Sequence, residues 1–72
     1  MSEVQAVLFQ GFTPAEASKW LKEHNYTPTK KMHREGTLMR YRMREPNYKR
    51  YTTETLTKPR GQKIFLVLGW RS

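Results

Sequence analysis

The alternation of residues from Leu38 to Arg44 constrains the fold of this chain more than any other sequence feature. A strand directs successive side chains to opposite sides. One face of this segment is apolar and carries Met39, Tyr41 and Met43. The other face is cationic and carries, beside Leu38, the arginines Arg40, Arg42 and Arg44. Like charges in a row repel one another, so we expect a strand whose cationic face lies in solvent or meets an anion.

A helix start is indicated by the sequence Thr13-Pro14-Ala15-Glu16. This is a capping box with proline at the first helical position: the Thr13 oxygen accepts from the Glu16 amide, and the Glu16 carboxylate reaches back to the Thr13 amide. We expect the helix to run from Pro14 to His24.

The helix has one apolar stripe, because Ala17, Trp20 and Leu21 repeat at helical spacing. We expect Trp20 to lie in the core. Asn25 stands where a left-handed residue closes a helix, and Tyr26 follows it as the second residue of a Schellman closure.

Several further segments have the composition of strands. The first is Val4 to Phe9, with Val4, Ala6 and Leu8 expected on one face and Gln5, Val7 and Phe9 on the other. Gln62 to Trp70 is apolar on both faces and is expected to be a central strand. Tyr48 to Leu56 is polar and is expected to be either an edge strand, from about Arg50 to Thr55, or a long loop. The sequence therefore predicts an α+β fold, with one helix packed on a small, mostly antiparallel sheet in the order β-α-β-β-(β)-β.

A hairpin is expected from Thr29 to Arg44, with its turn at Glu35-Gly36, where glycine supplies a positive φ. This turn pairs Arg34 with Thr37 and places Lys31 opposite Arg40. The predicted pairing gathers four basic side chains on one face, namely Lys31, His33, Arg40 and Arg42.

Size and composition exclude several kinds of site. With 72 residues the chain is expected to be one domain with a thin core. The absence of cysteine rules out disulfides and thiolate ligands, and two histidines make a zinc site improbable. There is no phosphate-binding glycine loop and no nucleophile motif, so we expect no enzymatic activity and no cofactor. We also expect no signal peptide and no membrane span, because the longest apolar run is Ile64 to Leu68.

The positive charge is concentrated in one part of the chain. The net charge is +8, and residues 30–50 hold eight Lys or Arg against two Glu, a local charge of +6. Such a run is either an ordinary solvated face or a site for a polyanion.

The polyanion interpretation predicts a nucleic-acid-binding module without sequence specificity, because arginine takes phosphate oxygens in pairs and tyrosine stacks on bases. DNA is favoured over RNA, since a two-stranded ribbon fits the major groove. Tyr41 is expected in the core, whereas Tyr48 and Tyr51 are better stacking candidates unless one of them is buried. The predicted binding residues are Lys31, His33, Arg40, Arg42, Arg44, Tyr48, Lys49, Arg50, Lys58 and Arg60.

The alternative is a protein-interaction or structural module in a viral assembly, acting as a homodimer or with a virion protein. One helix covers only one sheet face, so apolar residues such as Val7, Phe9, Phe65 and Val67 are candidates for an uncovered face. A membrane-surface role has less support, since the helix lacks a long cationic face.

Three segments together resemble a small module of uncharacterised proteins in tailed phages and large DNA viruses: Gly11 to Tyr26, Leu38 to Arg42 and Ile64 to Trp70. In phages the module is similar to the segment that precedes some predicted head-maturation proteases. Asn25 stands where glycine is usual in that module, and the protease catalytic residues have no counterpart. The resemblance implies a viral accessory or virion protein, located in the virion or in the cytoplasm or nucleus of the host cell.

Overall fold

The computed structural model describes residues 2–71, which form one helix and a five-stranded antiparallel sheet. The elements in chain order are β1 (Ser2–Gln10), α1 (Pro14–Glu23), β2 (His33–Glu35), β3 (Leu38–Arg42), β4 (Arg50–Thr57) and β5 (Lys63–Trp70), with a 3₁₀ turn at Pro59–Gly61 before β5. The strand order across the sheet is β2-β3-β1-β5-β4. The predicted α+β class is confirmed, and β1 is the central strand.

The helix begins and closes as its sequence predicts. The Thr13 amide donates to Glu16 Oε1 at 2.9 Å, and the Glu16 amide donates to Thr13 Oγ1 at 3.2 Å, which completes the capping box. Asn25 has a φ of 61°, and the Tyr26 amide donates to the Leu21 carbonyl at 2.9 Å, as a Schellman closure requires. The helix ends at Glu23, one residue before the predicted end.

One face of the sheet packs against the helix and forms the core. Phe9 is fully buried at its centre, and its ring meets those of Trp20 and Tyr41 edge-on, with centroids 5.7 Å and 5.6 Å apart. The buried core cluster consists of Val7, Phe9, Ala17, Leu21, Met39, Tyr41, Met43 and Ile64. Tyr41 therefore lies with the methionines and opposite Arg40 and Arg42, as predicted.

A β-bulge at Gln5 breaks the alternation predicted for β1. The Gln5 carbonyl accepts hydrogen bonds from the amides of both Met43 and Arg44, at 2.8 and 3.1 Å, and the pairing register of β1 with β5 shifts at this point. The prediction that Val4 shares a face with Ala6 and Leu8 is wrong. Val4 packs against the helix-side core, because the extra residue reverses the side to which the strand's first residues point.

The hairpin pairs β2 with β3 in a register two residues from the predicted one. His33 lies opposite Arg40 and Glu35 opposite Leu38, so the loop consists of Gly36, with a φ of 60°, and Thr37. The predicted pairing of Lys31 with Arg40 is therefore wrong. A shift of two residues preserves the face on which each side chain lies, so His33 still shares its face with Arg40 and Arg42.

The segment after Asn47 resolves as a strand and not as a loop. It forms β4, an edge strand whose eight residues are all exposed, and β5 lies between β4 and β1, as expected for a central strand. Of the apolar residues predicted for an uncovered face, Phe65 and Val67 lie on the face opposite the helix. Val7 and Phe9 do not, since both are fully buried beneath the helix. The described residues contain no helix with the length and apolar character needed to cross a membrane.

Candidate nucleic-acid interface

A groove beside the β2–β3 hairpin collects basic side chains from three segments. It has a volume of about 440 Å³ and is lined by Lys30, Lys31, His33, Glu35, Arg40 and Arg42. The segment before β2 is anchored because Thr29 donates to the Arg42 carbonyl through its amide at 2.9 Å and through its hydroxyl at 3.3 Å. This anchor brings the two lysines beside the two arginines. We call this set of residues the hairpin groove.

The cations of the hairpin groove outnumber the carboxylates around it. Glu35 Oε1 lies 3.4 Å from Arg40 Nε and 4.0 Å from His33 Nε2. Glu45 lies 3.7 Å from the guanidinium of Arg42 and 4.0 Å from Lys30 Nζ. Three Lys or Arg side chains, Lys30, Arg40 and Arg42, thus share two carboxylates, and Lys31 forms no ion pair within residues 2–71. The four Lys and Arg charges outnumber the two carboxylates, so the groove is cationic at neutral pH.

The two arginines of the groove differ from an ordinary solvated charge run. The side chains of Arg40 and Arg42 are only about one-third exposed, at 34% and 33%, and they lie in register with Leu8 and Ala6 on the central strand. Arg40 Nε is shielded from solvent and forms no hydrogen bond within residues 2–71, despite its proximity to Glu35. A shielded N–H group without an acceptor costs free energy, so Arg40 has an unused donor beside the groove.

Arg44 does not continue the arginine row of β3. The bulge at Gln5 ends the regular pairing of β3 at Arg42, and Gln5 Nε2 donates to the Arg44 carbonyl at 2.9 Å. The Arg44 guanidinium lies 3.4 Å from the Glu3 carboxylate. Arg44 is therefore paired in a separate cluster and is absent from the residues that line the groove.

That separate cluster surrounds Glu3 and also holds Tyr48 and Arg71. Glu3 Oε1 accepts from the Tyr48 hydroxyl and from Arg71 Nε, each at 3.0 Å, and the Arg71 guanidinium lies over the Tyr48 ring at 4.9 Å. We call Glu3, Arg44, Tyr48 and Arg71 the Glu3 cluster. The hydrogen bonds from Arg71 and Tyr48 lower the pKa of Glu3 below its ordinary value of 4.5.

Tyr48 is buried and is not a stacking surface for bases. It is 8% exposed, its ring lies directly over Gly69, and burial followed by the hydrogen bond to Glu3 raises the pKa of its phenol. Of the two tyrosines proposed for stacking, only Tyr51 is exposed, at 42%. Its hydroxyl accepts a hydrogen bond from the Tyr48 amide at 3.3 Å.

The other predicted binding residues lie away from the hairpin groove. Lys49 precedes β4 and Arg50 is its first residue, at the sheet edge opposite β2. The Arg50 guanidinium lies over the Trp70 ring at 4.8 Å. Lys58 and Arg60 belong to the exposed turn before β5.

Arg60 lies near the start of the helix. Hydrogen bonds from the backbone and side chain of Thr13, with a smaller effect of the Arg60 charge, lower the pKa of Glu16. The fold thus divides the ten predicted residues among four regions: the hairpin groove, the Glu3 cluster, the start of β4 and the turn before β5.

Four of the predicted residues come together in the groove: Lys31, His33, Arg40 and Arg42. Lys30 also lines the groove but is not among the predicted binding residues. Its position next to Lys31 in the cationic segment is a sequence signal that could have identified it. The role of Glu3 has no signal in the sequence, because its partners lie more than 40 residues away.

Within residues 2–71, no three His, Cys, Asp or Glu side chains are grouped so as to hold a metal ion. No protein-family model, curated protein or solved structure matches this chain.

Proposed function

We propose that this protein binds nucleic acid through the phosphate backbone and without sequence specificity, in the hairpin groove. The observation that carries the proposal is the excess of four Lys and Arg side chains over two neighbouring carboxylates in one groove of about 440 Å³. Phosphate oxygens supply the missing negative charge.

The charge of the whole chain supports the same ligand. A net charge of +8 on 72 residues creates a positive field that attracts a polyanion from a distance. Among residues 2–71, no Phe, Tyr or Trp ring lines the groove, so contacts there are with the nucleic-acid backbone and carry no sequence information. The resemblance to a viral module makes a viral genome, in the virion or in the infected cell, the natural ligand.

The test is a titration of labelled duplex and single-stranded oligonucleotides at several salt concentrations, starting at about 50 mM. If the four cations each contact one phosphate, the logarithm of duplex affinity falls against the logarithm of salt concentration with a slope of roughly −3 to −4. No binding at the lowest salt, or binding that salt does not weaken, contradicts the proposal.

A matched pair of variants locates the site. Arg40→Gln/Arg42→Gln removes two charges from the groove, whereas Lys19→Gln/Lys22→Gln removes two exposed charges from the helix. We expect the first variant to lose roughly 100-fold in affinity at about 50 mM salt and the second to lose far less. Equal losses would mean that only net charge matters.

Protein assembly is a second candidate function, and the β4 edge favours it. β4 is an unpaired edge of eight exposed residues without proline, a form that readily pairs with another strand. Arg50 and Glu54 carry opposite charges on one face of β4. If β4 pairs antiparallel with β4 of a second copy so that the two Thr52 residues lie opposite each other, Arg50 of each copy lies opposite Glu54 of the other. The assembly that this edge favours is therefore a homodimer, in a virion or elsewhere.

Light scattering across a concentration series tests the dimer. Arg50→Glu should shift the protein towards monomer, and Arg50→Glu/Glu54→Arg should restore the dimer. A wild-type protein that stays monomeric throughout the series contradicts this candidate.

A further inference from the structure

The sheet face opposite the helix carries an ordered arrangement of side chains that extends beyond the hairpin groove. The pairing registers align one residue from each of the five strands in a central row. From β2 to β4, that row reads His33, Arg40, Leu8, Phe65 and Thr55. A second row, two residues away along each strand, reads Arg42, Ala6, Val67 and Thr53. On the other side of the central row lie Glu35, Leu38, Gln10, Lys63 and Thr57.

The chemical type of the side chains changes across the sheet from the β2 edge to the β4 edge. In the central row and in the row through Arg42, cations lie on β2 and β3, apolar side chains on β1 and β5, and threonine hydroxyls on β4. The helix packs on the opposite face, and Phe65 and Val67 remain partly exposed. Within residues 2–71, the Phe65 ring pairs with no other aromatic ring, in contrast to Phe9 and Phe12 on the helix side.

We infer that this face binds a single strand of nucleic acid, with its bases against Phe65 and its phosphates at Arg40 and Arg42. The inference rests on the function proposed above and specifies its ligand. β3 and β5 are separated by one strand, so Arg40 and Phe65 lie about 10 Å apart across the sheet. A cationic track beside an aromatic surface is the combination that single-strand binding proteins use.

A duplex cannot use this arrangement in the same way. Its base faces are stacked within the double helix, so only its phosphates, its sugars and the edges of its bases reach the protein. A single strand exposes the face of each base, which can then cover the partly exposed Phe65. The hydroxyls of Thr53 and Thr55 lie one strand further and can hydrogen-bond base edges or sugars. The face therefore favours a single strand over a duplex of the same length.

Fluorescence anisotropy with an oligo-dT of about 12 nucleotides and a duplex of the same length tests the inference, because this length is within the usual range for one binding module. We expect Phe65→Leu, which keeps an apolar side chain, to weaken single-strand binding roughly tenfold and to leave duplex binding unchanged. Phe65→Tyr should restore single-strand affinity. Phe12→Leu is the matched control on the covered side and should change neither affinity.

The outcomes separate this inference from the function on which it rests. If Arg40→Gln/Arg42→Gln lowers the affinity for both the single strand and the duplex while Phe65→Leu lowers neither affinity, the phosphate site is supported. The inference that this face binds a single strand is then wrong. Equal losses for both ligands in Phe65→Leu also overturn it. If the wild type binds neither ligand, both proposals fail. Chemical shifts of backbone amides give a second measurement: single-strand binding should perturb Leu8, Phe65 and Val67, whereas changes confined to the hairpin groove contradict the inference.

Discussion

The hairpin groove and the Glu3 cluster both contain arginines from the same basic segment, yet their charge balance is different. In the groove, four Lys and Arg side chains outnumber two carboxylates that are themselves 47% and 66% exposed. In the cluster, a single carboxylate, 28% exposed, receives hydrogen bonds from a tyrosine and an arginine and an ion pair from a second arginine.

The difference shows that the geometry around an arginine determines its role more than its place in a charged run. Arg42 and Arg44 are two residues apart in the sequence, but Arg42 lines an open groove and Arg44 joins a network that ties together β1, Tyr48 and the end of the chain. We therefore expect changes in the groove to alter binding, and changes in the Glu3 cluster to alter stability.

The largest effect on stability should come from Gly69→Ala. A methyl group at this position would overlap the Tyr48 ring, so the ring must move and its hydrogen bond to Glu3 must lengthen or break. Overpacking of this kind costs about 1–3 kcal/mol, to be measured by urea denaturation. Nucleic-acid affinity of the folded variant should stay near that of the wild type.

A double-mutant cycle identifies the cause. In a Tyr48→Ala background the overlap is absent, so adding Gly69→Ala should cost little. The same cost in both backgrounds would show that the ring contact is not responsible.

Glu3→Gln should lower stability in a pH-dependent manner. Hydrogen bonds from Arg71 and Tyr48 lower the pKa of Glu3 in the folded protein, so its charged form contributes stability above the ordinary value of 4.5, and this contribution is lost as pH falls through the lowered pKa. The free energies of unfolding of wild type and variant should differ at pH 7 and converge as the pH falls below 4.5 and through the lowered pKa of Glu3. A difference that is constant with pH contradicts the ion pairing.

The smallest effect should come from Glu35→Gln/Glu45→Gln, which removes both carboxylates that pair with basic side chains of the hairpin groove. Exposed ion pairs contribute little each, so freeing Arg40 and Arg42 from them should raise nucleic-acid affinity only about 2- to 10-fold at low salt. Glu3→Gln is the matched control, since it also removes a carboxylate beside an arginine. If Glu3→Gln raises affinity equally, the two regions are not distinct.

Much of the fold could be predicted because its signals are local. The capping box and the Asn25 closure fix both ends of the helix through contacts within a few residues. The alternation in β3 placed Tyr41 and Arg40 on opposite faces correctly, and it did so despite a wrong register, because a slip of two residues preserves the faces. The same alternation correctly predicted that Arg40 and Arg42 share one face of the hairpin.

The rest depended on contacts between distant parts of the chain. The bulge at Gln5 forms where β1 meets the end of β3, and it reverses Val4 and separates Arg44 from the arginine row. The strand order places β4 at the far edge and so removes Lys49 and Arg50 from the groove. The burial of Tyr48 needs both Gly69 and Glu3.

The sequence by itself determined the helix, the strand segments and the two faces of β3, since propensity, capping and alternation act between near neighbours. Only the tertiary structure decided which cations share a groove and which are neutralised within the fold. Strand order, register and bulges arise from pairing across the whole chain, and those pairings set which charges meet.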